Sequence, residues 1–72
     1  MNALKSKIQN LRTAKGLTQK DMARVAGVTE VCYQRYEYGE RIPDATTAIL
    51  IADALGTTVK QLWGTGGDYG GK

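Results

Sequence analysis

The sequence has no histidine, one cysteine (Cys32), one proline (Pro43) and one serine (Ser6). A single cysteine cannot close an internal disulfide, and without histidine the usual ligands of a zinc site are missing. No metal and no other cofactor is expected, and Cys32 reads as a reduced thiol. The chain is not expected to be an enzyme. It has no imidazole base, Ser6 falls on a charged helix face, and no two carboxylates share a predicted cleft. No glycine cluster follows a strand to cradle a phosphate. No apolar run approaches the roughly 20 residues that span a bilayer, and the N-terminus lacks the apolar core of a signal peptide. A cytoplasmic protein is expected. Alternating β-branched residues never persist over four positions, so no strand is expected.

What remains is a chain of 72 residues, enough for one small all-α domain near the lower limit for folding without staples. The expected organisation is a folded domain over residues 1–64 and a flexible glycine-rich tail over residues 65–72, too poor in apolar groups to order itself. The tail reads equally as a native extension or an appended segment. The net charge is +3, unevenly spread. Residues 1–24 carry six basic side chains (Lys5, Lys7, Arg12, Lys15, Lys20, Arg24) against Asp21 alone, whereas residues 25–72 carry four basic against six acidic. A basic third of this kind suits a polyanion partner. It suits equally a small surface kept soluble by its charges.

Glycines punctuate the chain, and five of the nine (Gly16, Gly27, Gly39, Gly56, Gly64) fall where a helix should stop. A first helix is expected over residues 3–15, with Leu4, Ile8 and Leu11 forming its apolar stripe and Leu17 packing back past Gly16. A fourth is expected over residues 45–55, capped by Asp44 after Pro43, with Ala48, Ile51, Ala52 and Leu55 facing inward. Thr58 and Gln61 have capping-box spacing and open a short fifth helix ending at Trp63.

Between these lies the stretch that the rest serves. Thr18 caps a helix over residues 19–26, with Asp21 in its first turn and Met22, Ala23 and Ala26 on its buried face. Gly27 supplies the left-handed stop, Val28 plugs the corner, and Thr29 caps a helix over residues 30–38. Two short helices joined by so tight a turn make a helix-turn-helix, the unit that lays its second helix in the DNA major groove. On that second helix Tyr33 and Tyr36, with Thr29 and Cys32 beside them, should face inward. Val31, Gln34, Arg35 and Tyr38 cluster opposite, with Glu30 and Glu37 at the boundary. Arginine can pair bidentately with guanine and glutamine with adenine, and an apolar group can cover a thymine methyl. Such a face also fits an ordinary solvated helix. Glu30 serves either the helix dipole or a cytosine N4 donor.

The segments LRTAKGLTQKDMA, AGVT, YQRYEYGERIPD and IADALGTTVKQL, in register over roughly fifty residues without insertion, resemble the phage-repressor and Cro-like helix-turn-helix family, also called XRE. That resemblance implies a compact five-helix, lambda-repressor-like all-α domain. It implies a sequence-specific double-stranded DNA-binding transcriptional regulator, with a repressor working by occupancy as the expectation. By residue, Gln19 corresponds to the family's glutamine that bonds a phosphate and braces the recognition helix. Glu30, Val31 and Arg35 fall at the main base-reading positions, with Gln34 secondary. Thr29, Tyr38 and Arg41 fall where the backbone is touched. Arg12 and Glu37 match a partly buried ion pair between the first and third helices. The other reading of Arg12 is a phosphate-facing surface charge. The sequence departs from the pattern at Tyr38, at Glu40 near the expected phosphate path, and at Leu50 on the outer side of the fourth helix.

Paired modules read half-sites about 34 Å apart, so a homodimer on a palindromic operator is expected. Leu50, Leu62 and Trp63 are candidates for the dimer surface. Leu62 reads better as core, and Trp63 fits either place. Leu50 with Ile49 and Ala54 would extend an apolar patch toward Trp63. The rival function is a protein-interaction module on the same fold, an antitoxin's or anti-repressor's, in which Glu30, Glu40 and Leu50 serve a protein partner.

Overall fold

The computed structural model describes the backbone of residues 3–64 and the side chains of residues 7–64. The expected tail and the side chains of Leu4 and Ser6 therefore lie outside the described residues. Among these residues there are five helices and no strand: α1 (Ala3–Ala14), α2 (Gln19–Ala26), α3 (Glu30–Glu37), α4 (Ala45–Leu55) and α5 (Val59–Trp63). The all-α, five-helix architecture expected from the sequence is the one found.

The starts of α2, α3, α4 and α5 each have a side-chain oxygen to meet their unpaired amides. Thr18 Oγ1 accepts from Asp21 N while Asp21 Oδ2 accepts from Thr18 N, both at 3.0 Å, a complete capping box. Thr29 Oγ1 accepts from Cys32 N at 3.1 Å, and Asp44 Oδ1 from Thr47 N at 2.8 Å. The box expected at α5 is only half formed. Thr58 Oγ1 accepts from Gln61 N, but the Gln61 side chain turns to the Thr57 hydroxyl at 2.9 Å instead of reaching back to Thr58.

The ends of α1 to α4 share one device. Val28 N bonds Ala23 O at 3.0 Å across Gly27, which holds φ 73, and Glu40 N bonds Arg35 O at 2.9 Å across Gly39, which holds φ 78. These six-to-one bonds need the intervening residue in the left-handed region, where a Cβ is unfavourable. Leu17 and Val28, each just past its glycine, pack back onto the core. The same geometry stops α3 one residue earlier than expected, with Tyr38 as its cap.

The core gathers Ile8 of α1, Met22, Ala23 and Ala26 of α2, Tyr33 and Tyr36 of α3, Ile51, Ala52 and Leu55 of α4, and Leu62 of α5. Burying each large member contributes roughly 1.5–3 kcal/mol. Helix α2 packs on α3 and α4, and α1 on α3, α4 and α5. The short α3 is thereby held from behind by two helices while one of its faces stays open.

Candidate nucleic-acid interface

The open face of α3 stands on a buried polar network. Glu37 is 0% exposed, although the sequence placed it at the edge of the face. Its Oε2 accepts from Arg12 Nε at 2.7 Å and from the Tyr33 hydroxyl at 3.2 Å. Its Oε1 accepts from Gln19 Nε2 at 2.6 Å and, more loosely, from Arg12 Nη2 at 3.4 Å. Arg12 Nη1 donates to the Leu17 carbonyl at 2.9 Å, so one guanidinium joins α1, the loop before α2, and α3. Arg12 is therefore internal, and the surface reading of it is set aside. Burial opposes its charge, but the Glu37 hydrogen bonds and charge prevail and raise its pKa above the ordinary value. Burial and the neighbouring Glu37 carboxylate hold the Tyr33 phenol well above its ordinary value, so it serves as a donor. A buried carboxylate with so many donors is satisfied rather than stranded.

In front of that network, Glu30, Val31 and Arg35 are exposed, Val31 at 59%. Thr29 is exposed, its oxygen engaged at the helix cap. Tyr38 and Arg41 are exposed just past α3, and Arg41 N bonds Arg35 O at 3.2 Å, tying the loop to the helix end. Gln34 differs from expectation. It is half-buried, and its Nε2 donates to Gln19 Oε1 at 3.2 Å. Gln19 at the head of α2 thus touches both the buried carboxylate and the reading face.

The basic N-terminal third is spent differently from what composition suggested. Lys7 Nζ donates to the Gln61 carbonyl of α5 at 2.9 Å, and Lys15 Nζ lies 3.2 Å from where a Cβ on Gly56 would sit, at the C-terminal end of α4. Ammonium groups there meet the negative ends of helices. Arg12 on Glu37 and Lys7 on Gln61 thus have partners within the fold, and Lys15 lies beside a helix end. Apart from Arg12 these side chains are exposed, as are Lys20 and Arg24 on α2. The sequence carried no local signal for the roles of Lys7 and Lys15, because their partners lie on remote helices. Tyr33 and Glu37, four apart on one helix, were spaced to meet.

The two candidate dimer residues separate. Leu50 is 41% exposed and Ile49 51%, whereas Trp63 is partly buried against the core, as is Ala54, and Leu62 is core. No helix among the described residues is long and apolar enough to cross a membrane.

A short, doubly braced helix presenting Glu30, Val31, Gln34 and Arg35 after a Gly27 turn defines the class as a helix-turn-helix domain. The sequence profile of the helix-turn-helix family matches residues 8–62, and the chain belongs to that family, of the XRE type. It is a family of DNA-binding rather than enzymatic proteins, in keeping with the expectation for this chain. The chain is similar to the cryptic phage CTXphi transcriptional repressor RstR of Vibrio cholerae, 36% identical over 85% of this chain and 54% of the relative. It is also similar to two Bacillus subtilis proteins, the HTH-type transcriptional regulator YqaE (38% identical, 76% of this chain, 47% of the relative) and the SPbeta prophage-derived HTH-type transcriptional regulator YonR (35%, 78% and 52%). The chain spans about half the length of these relatives. No solved structure gives a significant match.

Proposed function

We propose that the chain is a sequence-specific DNA-binding transcriptional regulator, a repressor acting by occupancy, that lays α3 in the major groove. The carrying observation is the pairing of an exposed Val31 and Arg35, with the half-buried Gln34 beside them, with a network that fixes α3 from behind. A helix held by Arg12, Gln19 and Tyr33 loses little freedom on docking, which favours affinity. Arg35 suits guanine, Gln34 adenine, Val31 a thymine methyl, and Glu30 a cytosine amino group. Thr29, Tyr38, Arg41 and the free amide hydrogen of Gln19 serve the phosphates. The names of the relatives, one repressor and two regulators, support the same reading. The site of action is then the cytoplasm, on a palindromic operator bound by a homodimer joined through Leu50 and Ile49.

Selection from a random duplex library, with the winner titrated at two salt concentrations, tests this. An enriched palindrome whose affinity falls steeply with salt is the expected result. No enrichment and a flat salt response would instead assign the fold to a protein partner.

A further inference from the structure

Three polar side chains, Glu37, Gln19 and Gln34, run from the interior to the open face of α3, and the buried end sets the direction of each bond. Glu37 offers only acceptors, and its Oε1 takes Gln19 Nε2 at 2.6 Å. A carboxamide has a donor end and an acceptor end. With its nitrogen drawn to Glu37, Gln19 must turn its oxygen away, and Gln34 Nε2 meets that oxygen at 3.2 Å. Among the described residues, Gln34 is left with its carbonyl oxygen and one N–H. Flipping Gln19 would set its oxygen against the Glu37 carboxylate, and flipping Gln34 alone would set two oxygens together. One polarity therefore runs through all three residues.

We infer that Glu37 and Gln19 are specificity-positioning residues, fixing which groups of the Gln34 carboxamide reach the groove. The inference rests on the DNA reading proposed above. An oriented Gln34 offers one acceptor and one donor, the complement of adenine N6–H and N7. Guanine shows two acceptors, O6 and N7, and needs two donors. One of the two Gln34 donors is already given to Gln19, so guanine is disfavoured. A freed Gln34 recovers both donors and tolerates either purine.

The test is competition titration of the full chain on duplexes differing at one base pair. Gln34→Ala locates the pair it reads, where a bidentate contact should discriminate by about 5- to 150-fold. Gln19→Ala should weaken binding to every duplex through its lost phosphate contact, and in addition erase most of the adenine-over-guanine preference at that pair. In a Gln34→Ala background, Gln19→Ala should change affinity without changing any preference. Glu37→Gln, with its helicity checked by circular dichroism, should reproduce the relaxed preference with a smaller general loss. If Glu37→Gln does not fold, the Gln19 pair of measurements decides alone. Uniform weakening by Gln19→Ala with the preference intact overturns the inference while leaving DNA reading in place. So does a Gln34→Ala variant that keeps every preference. A wild-type chain without preference at any pair overturns the DNA reading itself, and the inference with it.

Discussion

Arg12 Nε stands 2.7 Å from Glu37 Oε2, joining α1 to α3 beneath the open face, with only 10% of the Arg12 side chain and none of Glu37 exposed. Removing one partner of so dry a pair leaves the other buried and unmatched. Arg12→Ala or Glu37→Ala should cost about 3–5 kcal/mol in urea denaturation. Arg12→Met combined with Glu37→Leu should cost much less than the two single losses together, because no charge is then stranded. A single-variant loss under about 1 kcal/mol would mean that water reaches the pair.

Arg35 is exposed and lies beside Gln34 on α3, and its backbone carbonyl anchors the loop that follows. Arg35→Ala removes the guanidinium without touching those backbone bonds. It should cost about 1–3 kcal/mol on the best duplex and relax preference at one base position. Equal loss on every duplex would move Arg35 to the phosphates.

The helix boundaries were legible because they rest on local chemistry. Thr18, Thr29, Asp44 and Thr58 are caps, and glycines follow the helix ends, within reach of a reader who has only neighbouring residues. The inward faces of α2 and α4 were legible from periodicity for the same reason. What escaped depends on distance in sequence. Nothing near Gln34 announces that Gln19 will occupy its amide, and nothing near Lys7 or Lys15 announces helix ends arriving from α5 and α4. The Arg12–Glu37 pair was reachable only through the family resemblance, since its members lie 25 positions apart.

Lys7 and Lys15 supply a test of how the basic third is spent. Both face the C-terminal ends of helices within the fold. Lys7→Gln and Lys15→Gln should lower the urea midpoint while leaving the slope of log affinity against log salt unchanged. A side chain that releases counterions from DNA would instead lower that slope by about one on removal. A shallower slope for either variant would return that lysine to the DNA surface.

Asp21 and Asp44 set an acid limit. Backbone amides of Thr18 and Thr47 respectively, as hydrogen-bond donors, hold each carboxyl below the ordinary 3.8. A group lowered in the folded state adds stability above its unfolded value, and that part is lost as pH falls through the folded value. Stability should therefore drop as the solution is acidified below pH 3.8. Asp44→Asn keeps a capping oxygen but cannot be protonated. Combined with Asp21→Asn it should flatten the fall in melting temperature in that range. An unchanged acid profile would show that other carboxyls control it.

Leu50 and Trp63 were both candidates for self-association, Trp63 fitting the core as well, and their surroundings now set them apart. Leu50 leaves 41% of its surface to solvent, beside Ile49 at 51%, while Trp63 packs on the core next to Leu62. A lysine at position 50 can extend into water at little cost to the fold, but one at position 63 would have to replace buried ring surface. Leu50→Lys should keep the melting temperature and abolish cooperative binding to a two-half-site operator, with sedimentation reporting monomer. Trp63→Lys should lower the melting temperature before it affects cooperativity. Full cooperativity in Leu50→Lys would remove the α4 face from the dimer. A stable but monomeric Trp63→Lys would move the contact to α5.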